Sequence, residues 1–379
     1  MIFAAETREG DRIEWRDTKR YLWFVSLAVP LYTLGAVAWY VWVDPSPWVA
    51  LAPLVISFVL TPLLDALFGE DTSNPPEAVV EEMAEDGYYR RLLHLSVPFY
   101  WAAFLAAAWF VGTQDLPWWG VLAMAVSAGY ASGTAITVGH ELGHKTNRLD
   151  RWMAKIALAV SGYGHFCIEH NRGHHTNVAT PEDCSSARLN ESVYAFALRD
   201  IPGALRGAVA LERRRLERKG LPFWHWRNEI LHSWAITAVV HVALVAAFGW
   251  VMLPFLAVHM AVAWFALTQA NYIEHYGLRR QRRANGRYEP VRPEHSWNTN
   301  HVLSNLMLFH LQRHSDHHAN PARPYQSLRN FDELPRLPSG YPGCFVLTVV
   351  PPLWYRVMNP KVMAQAGNDM ARVNTGEAT

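Results

Sequence analysis

Six apolar runs dominate the chain, each near the ~20 residues that cross a bilayer as a helix. They are Tyr21–Val43, Trp48–Phe68, Leu92–Gly112, Trp118–Val138, Ile230–Leu253 and Pro254–Ile273. The polar positions between them follow an alternating rule. The joins after the first, third and fifth runs are very short ("DPSP", "TQDLP", almost nothing before Pro254), and none carries a Lys or Arg. The stretches after the second, fourth and sixth are long and basic. This predicts three helical hairpins whose long segments gather on one face. By the positive-inside rule that face, with both termini and the loops 69–91 and 139–229, is cytoplasmic. Asp65 falls inside the second run, where facing lipid is costly, so it is expected to face the bundle interior.

Two smaller patterns refine this. Residues 152–168 are apolar but short and carry Lys155 and His165, which predicts an interfacial helix, with a seventh span as the alternative. Asn285-Gly286 predicts a two-residue hairpin turn. The expected fold is an all-α integral membrane protein with six transmembrane helices and a cytoplasmic histidine-rich catalytic cap. Its organisation reads as a cytoplasmic N-terminal segment (1–20), a span domain (21–273, including loop 139–229) and a cap (274–379).

Charge placement supports the membrane reading. The 34 Lys and Arg residues are confined to the first twenty positions, 90–91, 145–227 and 279–372. A formal net charge of +1 gives no reason to expect nucleic-acid binding. Cys167, Cys184 and Cys344 form no C-x-x-C pair, so a disulfide framework, a zinc ribbon or an iron–sulfur site is not expected. The N-terminus "MIFAAETREGDRIEW" lacks a basic region leading into an apolar core, and no cleaved signal peptide is expected.

The 18 histidines change the picture most. His140 and His144 are spaced H-x-x-x-H. His170, His174 and His175 are spaced H-x-x-x-H-H; His314, His317 and His318 are spaced H-x-x-H-H; His275 stands in "NYIEHYG". On a helix, residues three or four apart share a face, so each cluster aims two imidazoles at one point. The extra neighbour in each H-H pair then points toward a second metal. The fourth and sixth runs end on the same membrane face, bringing all nine together. His94, His165, His225, His232, His241, His259 and His295 read as ordinary hydrogen-bonded residues, and His301 and His310 as neighbours of the third cluster.

"HELGH" also matches the zinc-peptidase motif H-E-x-x-H, with Glu141 as general base. That motif uses three ligands and leaves six organised histidines without a role. A metal transporter would place histidines near mid-span on several helices rather than at one end. An imidazole-only donor set suits redox-active iron, with copper also chemically compatible.

These segments are similar to a known family. "GHELGHK", "IEHNRGHHTNVATPED", "NYIEHYGL" and "FHLQRHSDHH", with "PLLDALFGED" and "PEHSWNTNH", resemble the integral-membrane non-haem di-iron alkane 1-monooxygenases (alkane hydroxylases). Membrane fatty-acyl desaturases and other lipid hydroxylases are the alternative; "NYIEHYG" favours the hydroxylase branch. The resemblance implies O2-dependent hydroxylation of n-alkanes to 1-alkanols at two iron ions. It implies His140, His144, His170, His174, His175, His275, His314, His317 and His318 as ligands, without dividing them between the irons. It also implies electrons from a rubredoxin, reduced by an NADH-dependent flavoprotein reductase. With no C-x-x-C here, the rubredoxin is expected as a separate chain or a domain outside this sequence. The implied location is the inner membrane, with alkane arriving from lipid.

An n-alkane offers no acidic or electrophilic group, so breaking its C–H bond needs a metal oxidant, while the protein orients substrate and excludes side reactions. Ser57, Phe58 and Thr61 are candidate path-lining residues. Glu141, Glu169, Glu274 and Asp316 adjoin histidines and are candidates to accept an imidazole N–H from another cluster. Arg279, Arg280, Arg282, Arg283, Arg287 and Arg292 form the basic concentration expected to attract an acidic electron carrier.

Overall fold

The computed structural model describes residues 1–7 and 10–376. Six helices among them are long and apolar enough to cross a membrane: Arg20–Trp42, Pro47–Phe68, Gly87–Thr113, Trp118–Gly143, Glu229–Phe248 and Met252–His275. The chain is a multi-pass, all-helical-bundle membrane protein. Spans two, four and six end on the face where the clustered histidines lie.

The boundaries differ from the apolar runs where local chemistry overrides hydrophobicity. The third span starts at Gly87, because the Asp86 carboxylate accepts the Tyr88 N–H at 2.9 Å and caps the helix. The fourth continues to Gly143, carrying His140 beyond its apolar stretch. The fifth stops at Phe248, where Gly249 adopts φ +78°, although the apolar run continues. At the opposite face the links 43–46, 114–117 and 249–251 are short, and Trp42, Trp48, Trp118 and Trp250 stand exposed there. Tryptophans at this depth match the aromatic belt of a membrane interface.

Residues 152–168 do not form a seventh span. The helix here, Arg148–Val160, is 13 residues long, or about 20 Å against a ~30 Å hydrocarbon core. It packs against the third, fourth and fifth spans. A longer helix, Val193–Glu217, lies against the sixth span. Asn285-Gly286 forms a hairpin turn with a three-residue loop rather than two. Gly286 sits at φ +76°, its N–H bonds to Arg283 O, and Arg283 N–H bonds to Arg287 O. The all-α expectation also missed a short hairpin, Ile2–Glu6 paired with Arg12–Arg16. Phe3↔Trp15 and Ala5↔Ile13 are in register and pack with Val79 and Met83. Five-residue strands leave little trace beside 20-residue apolar runs.

Asp65 faces the interior, as expected. Its carboxylate accepts the Ser304 N–H at 2.9 Å in the first turn of the helix Val302–Met307. Gly340 presses against Asp65 and Ser304, and a Cβ there would collide with both side chains. One hydrophobic cluster joins span residues such as Tyr130, Ala266 and Tyr272 to Trp297, Leu308, Tyr341 and Trp354. The segment after the sixth span is thereby seated directly on the bundle, which fixes the last histidine cluster over the helix ends.

Candidate metal centre

The helices deliver nine imidazoles to two adjacent points. His140, His144, His170, His175 and His317 place one nitrogen each within 4.8 Å of one another, and so do His174, His275, His314 and His318. Within the first group, Nε2 atoms meet at 2.9 Å (His140 with His317), 3.0 Å (His175 with His170) and 3.2 Å (His317 with His175). In the second, the His314 Nε2 lies 3.2 Å from that of His275 and 2.9 Å from that of His318. The groups touch: the His175 and His318 rings are 4.4 Å apart. Among the described residues, both groups consist of imidazole alone.

Neutral imidazoles cannot all hydrogen-bond one another through the same nitrogen, since each bond needs one donor and one acceptor. The buried His144 and His174 Nε2 atoms have no hydrogen-bond partner. A cation at each focus would accept all these lone pairs, so the donor set fits a metal in each group. Burial holds His144 down to about 4 and His175 to about 2, which keeps both neutral and ready to ligate.

Local backbone geometry decides the partition. His140 and His144 lie one turn apart at the end of the fourth span, and His314 and His318 one turn apart in His314–Ala319. Residues 170–174 instead form a wide turn in which the His175 N–H reaches the His170 carbonyl, five residues back. His175 therefore shares a face with His170, and His174 turns to the other group. The four-residue spacing predicted the opposite pairing for this box; a π-type turn overrides it.

Outer nitrogens are fixed from behind. The His174 Nδ1–H donates to Asp183 at 2.9 Å, and the His275 Nδ1–H to the His295 carbonyl at 3.1 Å. Each bond sets a tautomer that leaves Nε2 free to ligate. Burial disfavours charge on His174, but the Asp183 carboxylate outweighs it and lifts the imidazole to about 9, so a metal binding here displaces the Nε2 proton while Nδ1–H stays on Asp183. Neither Asp183 nor His295 was picked out from the sequence. Asp183 lies in "TPED", nine residues beyond its partner, too far for adjacency in the sequence to mark it.

The four acids that adjoin histidines take mixed positions. Glu274 approaches a clustered histidine: its Oε2 is 3.3 Å from His314 Nε2, and its Oε1 accepts the Tyr341 hydroxyl at 2.8 Å. Glu141 pairs with Lys145 at 2.7 Å. Asp316 bonds to Arg329 at 2.7 Å and to Asn320 at 2.8 Å. Glu169 sits with Asp183 and Cys184, where burial, then the Asp183 charge, pushes it up to about 8. His301 and His310 bond to Thr299 at 2.6 Å and to the Tyr325 carbonyl at 3.0 Å, not to the clusters.

A mostly apolar cavity runs between the fourth and sixth spans toward both groups. Its walls include Gly133, Thr137, Ala270 and Phe345, and its inner end is made by His140, His170, Glu274 and His314. Ser57, Phe58 and Thr61 are not among its walls. Phe58 packs on one wall residue, Tyr130, at 4.6 Å, while Thr61 bonds to its own helix at Ile56. On the basic segment, Arg282, Arg283, Arg287 and Arg292 are exposed and Arg279 is half-buried. Arg280 is 7% exposed and holds the carbonyls of Thr176 and Glu289, so it is a structural clamp.

Comparison with known proteins follows the same lines. The fatty acid desaturase family model matches residues 116–348. An alkane 1-monooxygenase of Pseudomonas putida is 51% identical over 363 residues, covering 95% of this chain and 89% of the relative. The chain belongs to the alkane 1-monooxygenase family. Alkane 1-monooxygenases of Ectopseudomonas oleovorans (50% identity, 96% of this chain and 91% of the relative) and Alcanivorax borkumensis (48%, 96% and 90%) extend over the same length. Membership in this family, with Glu141 tied to Lys145, removes the peptidase reading of "HELGH".

Proposed function

We propose that the protein hydroxylates the terminal carbon of n-alkanes to give 1-alkanols, using O2 and two iron ions, one in each histidine group. The observation that carries this reading is a narrow apolar cavity ending on both groups at once. Bound iron would supply the oxidising chemistry with O2 that an unactivated C–H bond requires. His140, His144, His170, His175 and His317 would hold one ion, and His174, His275, His314 and His318 the other.

The remaining work belongs to the chain. Gly133 and Ala266 let the fourth and sixth spans approach closely, leaving a slot suited to an unbranched chain entering end-on from lipid. The Glu274 carboxylate, fixed by Tyr341, stands at the inner end, where a proton can be held beside the reacting carbon. Phe166 stacks on His170 at 4.7 Å and keeps that edge dry. Electrons are proposed to come from a rubredoxin served by an NADH-dependent flavoprotein reductase, docking on the exposed arginines after the sixth span. In this reading the protein sits in the inner membrane, with residues 274–379 capping the span domain and with the cap and both termini cytoplasmic.

The test combines metal analysis of purified protein with product identification from n-octane and a reconstituted electron chain. Two irons per chain and 1-octanol are expected. Internal alcohols, or an alkene from a fatty-acyl substrate, would instead favour a desaturase or another lipid hydroxylase. Full activity with zinc alone would overturn the redox reading.

A further inference from the structure

A second cavity lies beside the metal centre, between the sixth span, the fifth span and the helix Val193–Glu217. Ile201, Pro202 and Leu205 of Val193–Glu217 form one wall; Trp234, Thr237, Ala238 and His241 of the fifth span form another. Met260 and Trp264 of the sixth span, with Gly162 and His165, complete it. Trp234, Ala238 and His241 recur at helical spacing, so the cavity follows the fifth span for about two turns, roughly 10 Å.

His165 makes this more than an apolar crevice. The residue is 97% buried (3% exposed), and neither ring nitrogen has a hydrogen-bond partner among the described residues. Burial lowers its pKa to about 4, so the ring is neutral and offers one N–H donor and one acceptor. Leaving both unmet in an apolar wall costs free energy. A hydroxyl group in the cavity can meet one of them, donating to the bare nitrogen or accepting from the ring N–H.

Orientation narrows the ligand further. His165 lies near the start of the fifth span, since Gly164 abuts Ser233, and the cavity deepens from there toward His241. A molecule seated here has its polar end near the membrane interface and its tail toward mid-bilayer. The cavity is also next to the reaction site. Phe166, adjacent to His165, lines the first cavity together with Leu267, and Trp264 lines the second. These three side chains pack in one small cluster, which forms the partition.

We infer that this pocket binds a long-chain primary alcohol, its hydroxyl on His165 and its chain along the fifth span, as a holding site for product beside the metal centre. The identity of the ligand as product rests on the hydroxylase reading, but its binding does not require turnover.

The probe is a 1-dodecanol analogue bearing a terminal diazirine, photolysed with the full-length, iron-loaded protein in phosphatidylcholine vesicles. Labelled peptides are then mapped by mass spectrometry. Labels are expected within 201–205 and 234–241, with excess 1-dodecanol protecting about tenfold better than n-dodecane. His165→Phe should abolish that preference, and His165→Gln, which keeps a donor and an acceptor, should retain it, with iron content unchanged in both. Should His165→Phe fail to fold, Ala238→Phe fills the pocket from the fifth span and should lose the labels instead. Equal protection by n-dodecane, wild-type labelling in the Phe variants, or equal protection by phosphatidylglycerol would each overturn the assignment. Absence of 1-octanol from n-octane alongside intact, alcohol-selective labelling would count against the hydroxylase reading and leave the pocket standing.

Discussion

At the scale of single residues, the partner behind an imidazole decides which nitrogen faces inward. Asp183→Asn would keep the shape of the contact with His174 but remove its charge and unsettle the tautomer. Loss of such a partner typically weakens metal binding about 10–100-fold. Iron titration of the variant should show that loss in the second group, with the first group still filling at wild-type concentration. Removing a ligand outright should do more. His140→Ala or His317→Ala should strip iron from the first group, His174→Ala from the second, and each should abolish turnover. Iron content measured beside activity would expose an error: a silent substitution with two irons retained would remove that histidine from the ligand set.

Helices set the larger geometry. Gly133 on the fourth span faces Ala266 so closely that a Cβ would come within 2.8 Å of the alanine methyl and 3.1 Å of the Ala263 carbonyl. Gly133→Ala should therefore push the spans apart and cost about 1–3 kcal/mol. Ala266→Gly in the same chain should recover part of it, because the methyl is removed while the carbonyl remains. Thermal denaturation of the single and double variants reads the coupling directly; strictly additive effects would place the strain elsewhere. Much at this scale was legible in the sequence. The six spans and their hairpin pairing follow from apolar length, and the gathering of nine histidines follows from where the fourth and sixth spans end. The partition of those histidines was not legible. It depends on one wide turn at 170–175, and residue spacing alone assumes a regular helix. Nor were the cavity walls: Phe58 and Thr61 lie on a plausible apolar face, but the gap opens where small residues of the fourth and sixth spans meet.

For the whole molecule, the exposed part of the basic segment is smaller than its arginine content. With Arg280 locked under the 176–178 backbone, electron-carrier docking would fall to the hairpin tip and its flanks. Arg282→Glu with Arg283→Glu should slow reduction by rubredoxin at low ionic strength, and the defect should shrink as salt screens it. Stopped-flow reduction across a salt series tests this, with iron content as control; unchanged low-salt kinetics would move the docking surface. Arg280→Glu should behave differently, lowering stability at every salt concentration. The short links 43–46, 114–117 and 249–251 have a consequence for handling the protein in cells. Each is flanked by helix ends and an exposed tryptophan, so the face they form offers a protease almost no slack chain to grip. Trypsin added to intact spheroplasts should leave the chain whole, while the same enzyme added to inverted vesicles should cut it at the long basic segments, reporting membrane sidedness without any engineered tag.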